Sequence, residues 1–148
     1  MAIREATDAD VPALVPLLRG YVTFYETNPT DDQLTEMARA VIAAPEDTAF
    51  MLVATNDEDE VVGFALNQWK WSSLNGARAP VMDDLFVAES ARGAGHADAL
   101  IEAVADVARR HGAPLISWFT MPDNKRAHTV YDRVGGEAET LLEYELRL

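Results

Sequence analysis

Apolar residues recur along this chain with two different periods, and the switches between them divide it into elements. Ile3 to Ala6 suits one short strand. Thr7 or Asp8 then offers a helix cap, with Pro12 tolerated near the first turn. Leu14, Leu17, Leu18, Tyr21 and Val22 follow at helical spacing, which predicts a helix to about Tyr25. Asn28-Pro29 breaks it. A second helix starts at Thr30 or Asp31 and carries Leu34, Met37, Ala38, Val41 and Ile42, with Pro45 after its end.

The period then shortens. Ala49 to Ala54 is an apolar run of buried-strand type, the acidic turn Asn56–Glu60 follows, and Val61 to Leu66 completes a hairpin. Pro80 to Val87 reads as another strand. Residues 96 to 110 give the clearest helix: Ala97, Leu100, Ile101, Val104, Val107 and Ala108 form one apolar face, and Gly112 is placed to end it. Leu115 to Phe119 predicts a strand, Asn124 to Val134 a short helix stopped by Gly135-Gly136, and Leu141 to Leu148 a last, weakly alternating strand. The order β-α-α-β-β-β-α-β-α-β predicts an α/β (α+β) fold, a mixed sheet with helices on both faces.

With 148 residues, 49% of them hydrophobic, the chain is expected to form one domain over residues 1–148 with a real core. Twenty-five acidic residues against 12 basic give a net charge of −13. That argues against nucleic acid, whose phosphates need a basic face. It suits a cationic substrate, and equally a surface charge that only maintains solubility. There is no cysteine, so disulfides, thiolate chemistry and cysteine-ligated zinc are excluded, and no metal is expected. No leader-like run opens the sequence and no stretch approaches the roughly 20 apolar residues of a membrane span. The expectation is a cytoplasmic protein without a membrane partner.

The most informative segment is Asp84 to Ala97, a strand, a small-residue turn and an amphipathic helix. A helix N-terminus presents unpaired N–H groups and partial positive charge, so a turn built from Gly93, Ala94 and Gly95 can admit phosphate oxygens. Arg92 adds a permanent cation. An ordinary strand-to-helix turn would also use glycine. The turn lacks the Gly-Lys-Ser/Thr ending of a P-loop and comes too late in the chain for a dinucleotide fold.

Arg92-x-x-Gly95-x-Ala97 resembles the Q/R-x-x-G-x-G/A signature of the GNAT superfamily of N-acetyltransferases, with His96 where an aliphatic residue is usual and Ala97 where glycine is commoner. Asn124-x-x-Ala127-x-x-x-Tyr131-x-x-x-Gly135 resembles a second segment of that family. The resemblance runs from about Val61 to Gly136. It implies a GNAT fold with a mostly antiparallel sheet of about six to seven strands. It also implies an acetyl-CoA cosubstrate, its pyrophosphate on Arg92, Gly93, Ala94, Gly95, His96 and Ala97. The pantetheine arm would lie along Leu85, Phe86 and Val87, with Asn124 and Ala127 beside it.

The implied reaction is direct attack of an amine on the thioester within a ternary complex. The resemblance assigns Tyr131 to protonate the departing thiolate and a backbone N–H near Phe86 or Val87 to the oxyanion. The resemblance implies an acidic residue here as base, Asp83 or Asp84, acting directly or through water; alternation along a strand lets at most one face the acceptor. The alternative is that both are solvated or pair with Arg78 or Arg92. Gly63 to Leu66 with Asp83 to Val87 looks closest to the diamine and polyamine branch, which implies a small primary amine, polyamine-like or an amino acid. Tyr25, Trp69 and Trp71, with Asp83, are candidates to line the amine site, since cations sit well on aromatic faces; core packing would use the same aromatics. A protein lysine or N-terminal amine stays open, as does a non-catalytic acyl-CoA-binding regulatory module. A homodimer is the family's common state.

Overall fold

The structure is a computed structural model describing residues 1–148. Its strands are β1 (Ala2–Glu5), β2 (Ala49–Thr55), β3 (Val61–Ser72) and β4 (Ala77–Val87). Its helices are α1 (Val11–Phe24), α2 (Asp31–Ala43), α3 (His96–Arg110) and α4 (Lys125–Arg133). The strands form one antiparallel sheet in the order β1-β2-β3-β4.

Every residue of β2 is buried, because helices cover both faces of the sheet. On one face Phe50, Leu52 and Ala54 of β2 pack with Leu100, Ile101, Val104 and Val107 of α3. On the other, Met51 and Val53 of β2 with Phe64 and Leu66 of β3 pack against Leu14 and Leu18 of α1 and Leu34 and Ala38 of α2. The two periods read in the sequence are the two sides of these contacts: alternation in the strands, a 3.6-residue stripe in the helices.

Local chemistry fixes the element ends. Thr30 Oγ1 accepts from the Gln33 N–H at 3.1 Å while the Gln33 side chain accepts from the Thr30 N–H at 2.8 Å, a capping box that starts α2. Asp10 ties β1 to the entry of α1. Its carboxylate accepts from both terminal nitrogens of Arg4 at 2.8 Å and from the Thr7 N–H at 2.7 Å.

Three expectations need correction. The sheet has four strands rather than six to seven. Residues 115–119 form no strand: Ser117 makes a single parallel bridge with Val81, after which the two segments part. Residues 141–148 form no strand either, and Leu142, Tyr144, Leu146 and Leu148 stand exposed. An alternating pattern becomes a strand only where a neighbour supplies ladder bonds and a surface to cover, and this segment has neither. Conversely, the β3–β4 hairpin reaches past the predicted Leu66 to Ser72, because Asn67 to Ser72 find partners in Ala77 to Met82.

The Arg4 guanidinium and the Thr7 donors hold Asp10 down to about 2 from an ordinary 3.8. A depressed carboxylate contributes stability that is present above its unfolded pKa and lost as pH falls through its folded one. Asp10→Ala should therefore cost about 2 kcal/mol at pH 7. The difference from wild type in chemical denaturation should shrink from pH 4 toward pH 2.

Candidate active site

The site begins with one extra residue. In the β3–β4 ladder Leu66 faces Asp84 and Asn67 faces Met82, so Asp83 is a bulge with no opposite number. At the same level the other edge of β4 loses its neighbour. The Met82 N–H donates to the Ser117 carbonyl at 2.9 Å and the Ser117 N–H to the Pro80 carbonyl at 3.2 Å, but no backbone bond reaches that side of Asp83 to Val87. A wedge opens between β4 and the chain leading to α4, and Leu85, Phe86 and Val87 line it.

The wedge is a cavity of about 650 Å³ that passes round the free edge of β4, from the start of α3 to the last turn of α1. At its first end Gly93 and Gly95 have φ of 87° and 86°, values an L side chain rarely adopts. A Cβ built on either glycine would meet nothing within 4 Å, so both leave bare backbone beside open space. Gly95 is also the residue preceding α3, where helical N–H groups lack partners. The residues present thus fit an anionic group: free donors, the positive end of a helix and room for close approach.

Three guanidinium groups line the same space, those of Arg92, Arg126 and Arg133. Arg92 is anchored by its Nε, which donates to the Val87 carbonyl at 2.9 Å. Arg133 reaches across from α4 to α3, with Nε and Nη2 each 2.7 Å from the Asp98 carboxylate. The sequence reading missed Arg126 and Arg133. The available signal was their density: α4, KRAHTVYDR, holds three basic residues in nine positions of an acidic chain.

His96 replaces an aliphatic residue of the motif and behaves as one, at 5% exposure, with Nδ1 buried and unpartnered. His96 and Ala97 both line the cavity; Ala94 does not. On α4, Asn124 accepts from the Ala127 N–H at 3.3 Å and so caps the helix, while both residues still line the cavity. Tyr131 lines it too, its ring held edge-on by Trp118 at 5.3 Å between centroids. Burial raises its hydroxyl to about 12, with the neighbouring Tyr25 adding to the effect.

At the far end stand Tyr21, Phe24 and Tyr25. Tyr21 and Tyr25 lie 4.9 Å apart between ring centroids, and Phe24 meets Tyr25 edge-on at 5.1 Å. Tyr21 was read from sequence as part of the α1 core face, and it does pack on Phe64 at 6.3 Å. Only the tertiary structure puts its hydroxyl near β4, where it donates to the Asp83 carbonyl at 3.2 Å. α1 comes this close because residue 20 is glycine: a Cβ there would lie 2.7 Å from Phe86 Cζ.

Strict alternation along β4 does not hold at the acidic pair, because the bulge interrupts it. Asp83 accepts from Gln68 Nε2 at 2.8 Å, and Asp84 sits opposite Leu66, whose side chain packs against α1, so both carboxylates turn to the side that α1 covers. Neither pairs with an arginine: Arg78 binds the Asp47 carbonyl and Arg92 the Val87 carbonyl. Burial lifts Asp84 to about 6, opposed by Tyr21 and reinforced by the charge of Asp83. Burial also raises Asp83. Neither carboxylate lines the cavity itself.

Trp69 and Trp71 do not join the site. The Trp69 indole donates to the Glu46 carbonyl at 2.8 Å and packs on His111, while Trp71 is 77% exposed near the tip of the β3–β4 hairpin. Arg78 stacks over both rings, at 5.5 and 5.9 Å.

The chain belongs to the acetyltransferase (GNAT) family, whose model matches residues 15–136. It is 30% identical over 143 residues to YhfO, an uncharacterized N-acetyltransferase of Bacillus subtilis strain 168, covering 95% of this chain and 92% of that protein. Among solved structures it is similar to a probable acetyltransferase, with a TM-score of 0.86, 27% identity and coverage of 100% and 98%. It also shares the fold of the aminoglycoside N-acetyltransferase AAC(6')-Iy crystallised with CoA. That match has a TM-score of 0.84 and 23% identity, over 99% of this chain and 95% of that one.

The turn and the α1 contact make separable predictions. Gly95→Val forces a β-branched residue to φ near 86° and crowds the bare backbone. CoA affinity, measured by calorimetry, should fall at least tenfold, with a melting-temperature loss of only a few degrees. Gly20→Ala drives a methyl into the Phe86 ring and should instead cost about 1–3 kcal/mol of stability.

Proposed function

We propose that this protein transfers an acetyl group from acetyl-CoA to the primary amine of a small cationic molecule, within a ternary complex. The observation that carries the reading is the single cavity that joins an anion cradle, an open strand edge, a buried tyrosine and an aromatic end beside a desolvated carboxylate. Acetyl-CoA, when bound, supplies an activated acyl carbon.

In this reading the N–H groups at the start of α3 and the Arg92 and Arg126 guanidiniums hold the phosphates, with Arg133 fixed by Asp98 alongside. The free edge of β4 offers N–H and C=O groups to the amides of an extended arm. That edge also supplies a backbone donor near Phe86 or Val87 for the oxyanion, an interaction worth about 3 kcal/mol. Asn124 is occupied as a cap and contributes through its remaining amide donors. Tyr131, neutral at physiological pH, donates its proton to the departing sulfur. Asp84 is the better-placed base than Asp83, being more buried and lifted to about 6, toward working pH.

The acceptor is a cation before it reacts. Tyr21, Phe24 and Tyr25 present aromatic faces to it, and the net charge of −13 favours its approach. A diamine, a polyamine or an amino acid with a free amine fits this chemistry. An amine panel scored by thiol release tests the reading. Turnover with cationic amines is the expected result; CoA binding without any thiol release would indicate a non-catalytic module.

Two predictions follow the chemistry of single groups. Tyr131 has burial and Tyr25 as the causes of its raised pKa and no side-chain hydrogen bond among them, so Tyr131→Phe should leave melting temperature nearly unchanged. Its kcat should fall about 10²–10⁴-fold. Asp84 has a folded pKa above its ordinary 3.8, so it favours the fold at low pH and its contribution declines as pH rises through about 6. Asp84→Asn should therefore raise stability above pH 6, by roughly 2–3 kcal/mol, while lowering activity.

A further inference from the structure

Asp84 poses a problem of access: it is the best-placed base, yet it does not line the cavity where the amine must sit. The side chain that spans the gap is Tyr21. It lines the cavity, and its hydroxyl donates to the carbonyl of Asp83, the residue that precedes Asp84 on the same face of β4. At 3.2 Å that bond is long, weak enough to yield the proton to a neighbouring carboxylate acceptor.

We propose that Tyr21 is a proton relay between the acceptor ammonium and Asp84. The inference rests on the acetyltransfer reading above. As the amine nitrogen loses its proton to the Tyr21 oxygen, the Tyr21 hydroxyl proton passes to an Asp84 carboxylate oxygen. The freed nitrogen forms the N–C bond to the acyl carbon, the C–S bond breaks, the sulfur takes the proton of Tyr131, and the second proton shed by the acylated nitrogen passes through solvent to restore the Tyr131 hydroxyl. Tyr21 ends as it began, Asp84 holds the ammonium proton, and solvent later receives it.

The surroundings of Tyr21 suit a relay rather than a phenolate. Burial and the adjacent Asp84 charge push its own ionisation far above the ordinary tyrosine range, so it remains neutral and passes protons in concert. The groups that face the pair are few. From β4 comes Asp83, held by Gln68 Nε2 at 2.8 Å. From α1 comes Tyr25, at 4.9 Å between ring centroids, which in turn neighbours Tyr131 of α4. The Arg92 guanidinium sits over the Phe86 ring at 5.7 Å and makes its hydrogen bond to Val87, not to the carboxylates. No arginine therefore pairs with the Asp84 carboxylate. The position of Tyr21 is set by structure: Gly20 lets α1 press onto Phe86, and the edge-on packing with Phe64 holds the ring.

The test is the pH profile of kcat/KM for the best amine of the panel, on wild type, Tyr21→Phe, Asp84→Asn and the double variant. Wild type should rise with pH and level off above about 6. Tyr21→Phe should lose that limb and about 10²-fold in rate, with CoA affinity within twofold of wild type. The double variant should be no slower than the slower single one, because the two groups act as a unit. Tyr21 replaced by 3-fluorotyrosine keeps the packing while making the hydroxyl more acidic, so it should retain the limb and change the rate. That replacement keeps the test informative if Tyr21→Phe proves unstable. A Tyr21→Phe enzyme that retains the limb, or losses that multiply in the double variant, would overturn the relay and leave acetyltransfer standing. A wild type that binds CoA but acetylates no amine would overturn both.

Discussion

The bulge at Asp83 is the constraint on which the site depends. A regular strand would have carried its ladder on both edges, and the chain after α3 would have continued beside β4 as a paired strand. With one residue in excess, β4 turns at the level of Met82, and pairing with the following segment ends after Ser117. The backbone groups of Leu85 to Val87 are thereby left without a strand neighbour on that edge. The same extra residue sets both aspartates on the face that α1 covers. The open strand edge and the shared face of the acidic pair are two consequences of a single insertion in register.

Charge is divided along the cavity in the way the proposed reaction needs. The chain as a whole carries −13, yet the end formed by the start of α3 gathers Arg92, Arg126 and Arg133. The other end has aromatic faces and, behind Tyr21, a carboxyl kept short of solvent. A polyanion and a cation can thus occupy one cavity without sharing an end. The Asp98–Arg133 pair has a structural share in this, since it joins α3 to α4 across the mouth. Being exposed, it contributes through geometry more than through energy.

The α1 side shows function set against stability. A carboxyl lifted to about 6 is costly to ionise in the fold, and a glycine inside a helix gives up roughly 1 kcal/mol relative to alanine. Both features serve one contact, the approach of the last turns of α1 to the edge of β4. Gly20 admits the Phe86 ring; that closeness brings Tyr21 to Asp84 and removes water from around it.

Much of this was determined by the sequence alone. The periodicity of Leu14 to Val22, Leu34 to Ile42 and Ala97 to Ala108 set the helices, and the apolar runs at Ala49 and Val61 set the central strands, because burial on one or both faces imposes its period locally. The Arg92–Ala97 and Asn124–Gly135 spacings marked segments that line the cavity, since a positive-φ turn and a helix cap are written in adjacent residues. The remainder depended on contacts distant in sequence. Trp69 and Trp71 looked like ligands for an amine but lie elsewhere, because aromatic character does not encode position. Tyr21 looked like core and stands at the cavity, because one helical stripe serves both roles at its two ends. Residues 115–119 and 141–148 have strand composition and no ladder, since a strand exists only with a neighbour. Whether Asp83 and Asp84 faced apart or together turned on a register that no local pattern carries: pairing is a property of two strands, and only the folded sheet chooses where the extra residue goes.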